Sequence, residues 1–519
     1  MCFFARLTKK GKMEKLFRKA FLCIVFALSA AFAAQTVQPL KIWIMPNGVA
    51  PSETLASILT DFTKKTNIPV EIEVLDWGEA WNKISLTLKH GSDLPDVVQL
   101  GSTWVPYFAI RGEIKPLNEL LGKIDSTQFT PVSWQSAHID ADTVIYSIPW
   151  FMDVRALLAN KRLMKKNGIS KEDVATYEGF KKAIRKINDS KETQEDGTKI
   201  RGYSFPGKSD WNIPHNFAPW VWGFGGDFIQ KDSAGNWHAN ILSKETLLGI
   251  SKYLAFVLDT LVSTDALQTN TTQIAQQFDN GELGFIVNTS EIGMQLRFSG
   301  EEGGLSGAPI AKDSLCILPI PRGSVGSTCF IGGSNLAIPS RSNRPEAIKL
   351  LLYLTGDKAA DTYTKQIGFL PASQKVLEQW AQDDIYKDLV KAVETGRAYT
   401  PIPEWGDIEQ TLVSMFTAIW DQVETPALYS EEKLYQILLQ YTQEINVRLN
   451  YKANDIMTYE QFKDVWKQSL GSPNSANTEQ MKEATSKDHI KSNLRIAPVI
   501  FILILFISFL RTYKRKRKK

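Results

Sequence analysis

The stretch Leu94-Pro-Asp-Val-Val-Gln-Leu-Gly-Ser-Thr-Trp104 combines a short apolar strand, Asp96–Leu100, with polar and aromatic residues directly after it. Two further strand patterns precede it, at Leu40–Met45 and Val70–Leu75. The helical patterns between the three strands are Leu55, Ile58, Leu59 and Phe62 at helical spacing, and Glu79–Leu88. This alternation predicts an α/β fold with a parallel sheet and helices on its faces. Ligands of such sheets bind beyond the carboxyl ends of the strands.

The rest of the chain is mixed and then helical. Helical segments are expected at 177–187 and 244–261, and strands at 284–287, 316–320 and 335–338. Beyond Arg344 the pattern is almost all helical and ends near Lys467. The length of 519 residues is sufficient for two or more domains.

The N-terminus has the pattern of a secretory signal peptide, which we assign to residues 1–34. Seven Lys and Arg residues precede the apolar stretch Ala20–Phe32, and Ala31-Phe32-Ala33 matches an A-x-A cleavage site. Met13 is an alternative start, because the charged segment after it is sufficient. The bulky Phe21 and Leu22 before Cys23 argue against a lipid-anchor site.

The C-terminus has the pattern of a stop-transfer segment. A polar stretch, 469–494, lacks an apolar period and is expected to be a flexible stalk. An apolar run of about 15 residues follows, roughly 22 Å long as a helix. We predict a transmembrane anchor over 495–511 and a basic cytoplasmic tail over 512–519. The alternative is an amphipathic or core helix, although the run has no polar face.

Charge and cysteine content limit the classes of function. The formal charge is +4, but without the basic ends the body 35–510 has a net charge of −9, which argues against nucleic-acid binding. The five His residues have no metal-ligand spacing, so we expect no metal and no cofactor. After signal cleavage only Cys316 and Cys329 remain, on either side of a turn at 321–324. They either form a disulfide or remain two buried free thiols.

Several stretches resemble the family 1 extracellular solute-binding proteins, the group that includes maltose-binding protein. The resemblance covers most of residues 38–465 and keeps the family's order. It rests on Leu94–Trp104 with Gly112-Glu-Ile-Lys-Pro-Leu117; Tyr146-Ser-Ile-Pro-Trp-Phe-Met-Asp-Val-Arg-Ala-Leu-Leu-Ala-Asn160; Phe278-Asp-Asn-Gly-Glu-Leu-Gly-Phe285; and Gly332-Gly-Ser-Asn-Leu-Ala-Ile338 with Gly368-Phe-Leu-Pro371.

The resemblance implies two α/β lobes that close over a ligand, each a mostly parallel sheet flanked by helices. On that basis the chain crosses between lobes near 153–158, 284–288 and 335–339. The expected segments are 35–152 and 285–338 in lobe 1, and 153–284 and 339–468 in lobe 2.

The resemblance also implies a set of ligand-binding residues in the cleft. Asp153 would accept from ligand hydroxyls, although an ion pair with Arg155 would equally explain it. The residues are Ser102, Thr103, Trp104, Trp150, Asp153, Asn216, Trp220, Asn288, Glu291, Gly333, Ser334, Asn335 and Trp405. Clustered Trp with short polar side chains suits a carbohydrate, because indole stacks on the C–H faces of sugar rings. For any single Trp, a position in the core or wall is the better interpretation, so the predicted site rests on the positions of the motifs.

The sequence therefore predicts an extracytoplasmic protein that captures a small solute, a sugar or oligosaccharide, for the permease subunits of an ABC importer. The alternatives are a membrane-anchored receptor for a signalling partner and a secreted glycosidase. No convincing carboxylate pair or hydrolase motif supports an enzyme.

Overall fold

The computed structural model describes residues 38–120, 122–208, 210–296, 315–384, 386–425, 429–453 and 455–470. Within these ranges no helix is long and apolar enough to cross a membrane. The predicted signal peptide, anchor and cytoplasmic tail lie outside the described residues, as does the stalk from residue 471 onward. The first two residues of the predicted stalk, 469 and 470, instead end a helix.

Twelve strands occur in the described ranges, and ten of them belong to one sheet. The strands are β1 Leu40–Ile44, β2 Val70–Val74, β3 Val97–Gly101, β4 Ile148–Asn160, β5 Arg201–Tyr203, β6 Ile229–Lys231, β7 Trp237–Ala239, β8 Leu283–Thr289, β9 Leu315–Leu318, β10 Cys329–Ala337, β11 Leu370–Pro371 and β12 Gly396–Arg397. The main path of the large sheet is β2-β1-β3-β10-β4-β8-β5, and β6 and β7 form a separate hairpin.

Helices cover both faces of the sheet and dominate the last third of the chain. They are α1 Pro51–Thr66, α2 Trp77–His90, α3 Val105–Ile110, α4 Pro131–Gln135, α5 Lys161–Lys166, α6 Tyr177–Asp189, α7 Ile213–Gly223, α8 Lys244–Leu258, α9 Thr271–Asp279, α10 Ser290–Gln295, α11 Glu346–Leu354, α12 Asp357–Ile367, α13 Gln374–Trp380, α14 Lys387–Val393, α15 Trp405–Glu424, α16 Glu431–Arg448 and α17 Tyr459–Leu470. Short 3-10 turns lie at Asn118–Leu120, Ser126–Gln128 and Thr264–Gln268.

The N-terminal unit has the predicted parallel arrangement. β1 pairs in parallel with β2 on one side and β3 on the other. The residues of α1 that are buried are the four that the helical spacing selects, Leu55, Ile58, Leu59 and Phe62. All five residues of β3 are buried, as expected for a central strand of a covered parallel sheet.

β4 is a single long strand that belongs to both lobes. Its first half pairs with β10 and β11, whereas its second half pairs with β8 and β9. The change of partners falls at Asp153–Arg155, within the predicted crossing. The backbone therefore passes between the lobes as continuous strand.

β10 returns the chain to the first lobe by inserting antiparallel between β3 and β4. Gly333 lies at φ +143, and a Cβ there would lie 2.2 Å from the carbonyl oxygen of Phe151. Only glycine fits this close approach.

Two predicted lobe segments differ from the observed packing. β8 and β9 pair with the second half of β4, so these two strands lie in the second lobe before β10 crosses back. Conversely, α12 packs on α1 of the first lobe, whereas α15 and α17 pack on α7 and α8 of the second. The predicted segment 339–468 is thus divided between the two lobes.

Of the two alternatives for Cys316 and Cys329, the structure has the second, since both are buried free thiols and the possible disulfide is not formed. β9 and β10 do not pair with each other as a hairpin, because each pairs with a different half of β4. The Cys329 thiol instead donates to the carbonyl of Ala392 at 3.2 Å.

Candidate ligand-binding cleft

The polar residues after β3 line a small cavity between the lobes. Its volume is about 10 Å³, close to the room that one water molecule needs. Ser102 is fixed there because its backbone N–H donates to Gly333 O at 2.9 Å. The cavity is lined by Ser102, Thr103, Gln135, Ser136, Ile331, Ala398, Tyr399, Thr400 and Pro401. The walls of the cleft therefore lie close together in this structure.

Tryptophans of the first lobe form one aromatic side of the cleft. Trp104, directly after Thr103, packs edge-on against Trp77 and Trp81 with ring centroids 5.7 and 5.2 Å apart. All three rings are partly buried. Trp104 thus sits at the edge of the cavity with its ring orientation set by two neighbours.

The opposite side is formed by the segment that leads into α15. Tyr399 stacks on Trp405, with centroids 4.3 Å apart. Trp405 is 1% exposed. A Cβ on Gly406 would lie 2.8 Å from Trp81, so the start of α15 packs directly on the first lobe. Glycine at this position lets the two sides approach each other.

A buried arginine organises the polar groups beside the cleft. Arg155 is 1% exposed and lies 3.8 Å from the Asp153 carboxylate. Its guanidinium donates to Asn216 Oδ1 at 3.4 Å and to the Asn212 side chain. His215, one helical turn from Asn212, stacks on Phe330 with centroids 4.2 Å apart. Through its ion pair with Asp153 and its hydrogen bond to Asn212, Arg155 thus connects the β4 crossing to the start of α7.

Burial shifts the pKa of several groups toward their neutral forms. It raises the pKa of Glu409 to about 7 and, together with the nearby Asp153, that of Glu291 to about 8. It also raises the pKa of Asp153, against the opposing effect of Arg155. Burial, with Arg155 nearby, holds the pKa of His215 well below its usual range. These groups are therefore poorly solvated where they stand.

Several buried polar atoms near the cleft have no hydrogen-bond partner among the described residues. They are Asp153 Oδ1, Arg155 Nε and Asn216 Nδ2. Buried polar atoms normally find a partner in protein or water. A polyhydroxylated ligand would offer both donors and acceptors to such a set.

The structure brings some of the predicted site residues together and separates others. Ser102, Thr103, Trp104, Asp153, Asn216, Gly333 and Trp405 lie at or beside the cleft, as described above. Glu291 is close enough to Asp153 for their charges to interact. Asn288 is buried on β8, where its Oδ1 accepts from Thr289 N.

Four predicted site residues have structural roles instead. Trp220 packs within the aromatic core of the second lobe, and Trp150 stacks on Tyr363 with centroids 4.4 Å apart. Ser334 accepts from Gln99, and Asn335 donates to Ser136 and Ser147. The ring faces of the two tryptophans and the polar groups of Ser334 and Asn335 are occupied by the protein, so we place these residues in the core rather than at the site.

Other residues at the cleft were not among the predicted site residues. Glu409 lies four residues after Trp405 on α15, and that helical spacing was a usable signal. Tyr399 and His215 carried no such signal, because the hydrogen bond between them joins segments 184 residues apart. Among the described residues, no group of three or more His, Cys, Asp or Glu side chains could hold a metal ion.

Comparison with known proteins places this architecture in context. The diacetylchitobiose binding protein DasA of Streptomyces coelicolor is 26% identical over 374 residues, which are 72% of this chain and 82% of DasA. Maltose-bound MalE3 of T. maritima superposes with a TM-score of 0.66 at 19% identity, covering 79% of this chain and 99% of that one. A tagatose-bound ABC transporter solute-binding protein of Thermotoga lettingae has the same TM-score at 22% identity, covering 79% and 100%.

The structural likenesses establish the fold, a two-lobed α/β fold with a mixed sheet. The family described as bacterial extracellular solute-binding protein matches residues 57–393, well over half of the chain. Extracytoplasmic capture of a solute is the activity common to this family. On the match of its sequence and the agreement of its fold, the chain belongs to the bacterial extracellular solute-binding proteins.

Proposed function

We propose that the protein captures a carbohydrate in the cleft between its lobes and delivers it to an ABC importer. The observation that carries this proposal is the pairing of aromatic faces with unpartnered polar atoms at one cleft. Trp77 and Trp104, both partly buried, supply the faces, while Asp153 Oδ1 and Asn216 Nδ2 lack hydrogen-bond partners among the described residues. A sugar offers C–H faces and hydroxyls to the same site.

The relatives support a carbohydrate ligand. DasA is described as binding diacetylchitobiose, and solved structures of similar fold hold maltose, tagatose or mannitol. These ligands are all polyhydroxylated and differ in size, so we propose the class rather than one sugar. The family also favours capture over catalysis, and we propose that the protein is not an enzyme.

We also propose that the body is tethered at the outer face of the cytoplasmic membrane by the segment 495–511. The support is the sequence: an uninterrupted apolar run followed by seven Lys and Arg residues. Such a tether would keep the binding body near the permease subunits.

A thermal-shift screen of the purified full chain tests the carbohydrate proposal. Mono- and oligosaccharides, polyols and amino acids are each added at increasing concentration. A ligand that binds only the folded state raises the melting temperature with the logarithm of its concentration. We expect this response from one group of sugars and none from the amino acids. Stabilisation by amino acids alone would refute the proposal.

A further inference from the structure

Trp211 differs from every other tryptophan of this chain. All 14 tryptophans lie in the described residues, and Trp211 alone is exposed, with 55% of its surface accessible. It stands at the start of the second lobe's helix α7. A large apolar ring that is exposed to solvent and held in place beside a binding site is a candidate ligand contact.

The backbone around Trp211 is firmly held. Asp210, on one side, accepts from Asn212 N at 2.8 Å and from Thr271 N at 2.6 Å. On the other side, the Asn212 side chain accepts from the buried Arg155. The Trp211 ring also packs edge-on against His215, with centroids 5.7 Å apart. An aromatic ring fixed in this way loses little conformational entropy when a ligand covers it.

Trp77 supports the same ring from the first lobe. The two indoles are nearly parallel, with an interplanar angle of 17° and centroids 6.3 Å apart. Trp77 is itself positioned, because its Nε1 donates to Pro46 O at 3.3 Å and Asp76 caps the helix that it begins. The stacked pair therefore forms where the two lobes meet.

The pair is continuous with the cleft along both walls. On the first lobe, Trp77 contacts Trp104, which follows the cavity residue Thr103. On the second lobe, His215 contacts Trp211 on one side and hydrogen-bonds the cavity residue Tyr399 on the other. A ligand that extends beyond the cavity along these contacts reaches the exposed face of Trp211.

We propose that Trp211, backed by Trp77, is an outer stacking subsite, and that the protein takes an oligosaccharide long enough to reach it. This inference rests on the proposed carbohydrate function and specifies the size class of its ligand. The inner cleft holds the first units, and a more distant sugar ring lies on the exposed indole face. Covering about 50 Å² of apolar surface corresponds to roughly a tenfold gain in affinity.

Calorimetric titration of the full chain with oligosaccharides of increasing length tests the subsite. The probes are β-1,4-linked N-acetylglucosamine and α-1,4-linked glucose, each from the disaccharide to the hexasaccharide. We expect the preferred series to gain roughly tenfold in affinity at one step of lengthening. Trp211→Ala should abolish that step and leave disaccharide affinity unchanged, while Trp211→Phe should retain most of it. Trp237→Ala, a partly buried tryptophan on the separate β6–β7 hairpin, is the control and should behave as wild type.

The alternative role of the pair is a latch that stabilises lobe closure with any ligand. A latch predicts that Trp211→Ala weakens the disaccharide and the hexasaccharide by the same factor, and this result would overturn the subsite. An unchanged step in Trp211→Ala would overturn it as well. If neither series binds the wild-type protein, the carbohydrate function itself fails, and the subsite with it.

Discussion

Two aromatic clusters in this molecule use the same residue types in different ways. The core cluster of the second lobe consists of Tyr177, Phe180, Trp220, Tyr253 and Phe256, all buried and packed ring against ring. The cleft cluster consists of Trp77, Trp81, Trp104 and Trp211, none of which is fully buried. The core cluster has no ring face left for a ligand. The cleft cluster keeps such faces at the boundary between the lobes.

The contrast shows that tryptophan content does not locate a binding site. The rings of the core cluster are covered by other residues of the second lobe, whereas the rings of the cleft cluster face the other wall of the cleft. This difference depends on contacts between segments that are distant in sequence. Truncation of a ring in the core cluster should therefore lower the stability of the protein, whereas truncation of a ring in the cleft cluster should lower its affinity for the ligand.

Truncation in the core cluster should have the largest effect. Trp220 is 2% exposed and touches rings from two other helices, α6 and α8, so Trp220→Ala leaves a large cavity. We expect a loss of about 3–5 kcal/mol in the free energy of unfolding. Urea denaturation of the unliganded protein measures it. A loss below about 1 kcal/mol would show that the ring is not part of the core.

Truncation in the cleft cluster should affect affinity instead. Trp104→Ala removes a partly exposed ring beside the cavity, and we expect a loss of about 2 kcal/mol in binding, more than tenfold in affinity. The unliganded melting temperature should change little. Calorimetry with the sugar found by the thermal-shift screen provides the measurement. A lowered melting temperature with unchanged affinity would place Trp104 with the core cluster.

The pH dependence of stability should also originate in the cleft. Glu291 and Glu409, with pKa values raised by burial to about 8 and 7, bind more protons in the folded than in the unfolded chain. Stability is then greatest below the unfolded-state pKa and falls as the pH rises through the folded-state pKa. Between pH 6.5 and 8 we expect the free energy of unfolding to fall by about 1–2 kcal/mol. His215, whose pKa is held well below its usual range in the folded protein, opposes this decline at the lower end of the window, where an unfolded-chain histidine still titrates.

Glu291→Gln provides the matched variant for that titration. The amide keeps the shape of the side chain and removes its ionisation, so the decline between pH 6.5 and 8 should become shallower. Urea denaturation at closely spaced pH values measures both slopes. Parallel slopes for variant and wild type would assign the pH dependence to groups other than Glu291.

The smallest effect is expected for Asp153→Asn. The substitution removes the carboxylate 3.8 Å from Arg155 but leaves the hydrogen bonds from Arg155 to Asn212 and Asn216. We expect a loss of about 1 kcal/mol in unfolding free energy, because the buried guanidinium keeps part of its environment. If Asp153 also accepts from the ligand, calorimetry will show a loss of affinity larger than this change in stability.

Local patterns in the sequence were sufficient for the N-terminal unit of the first lobe, β1 to β3. The spacing of Leu55, Ile58, Leu59 and Phe62 selects the buried face of α1, and the apolar strand before Ser102 is β3. Helix α7 was not predicted, because two prolines argue against a helix: Pro214 lies in the first turn, where proline is tolerated, but Pro219 lies in the interior. The chain crossing at β4 was inferred by family resemblance, and its strand pairing agrees.

The site was less predictable than the fold. Asn335 was predicted to bind the ligand, but its side chain donates a hydrogen bond to Ser136 instead. Ser136 is distant in sequence, and no local pattern encodes this contact. The two cysteines illustrate the same limit: the turn between them suggested a hairpin, but both flanking strands pair with β4 instead. Residue type and order predicted the neighbourhood of the cleft, while the orientation of each side chain required the tertiary structure.

The position of β10 has a consequence for the order in which the chain becomes folded. This strand, Cys329–Ala337, lies between β3 and β4, so the first lobe's sheet stays incomplete until residue 337 is available. Pairings over such long separations in sequence form slowly. A chain that emerges from its N-terminus thus cannot complete its first sheet until residue 337 has been made. Because the sheet is completed late, the polypeptide would remain unfolded while it is translocated across the membrane. A protein that works outside the cytoplasm has to make that passage.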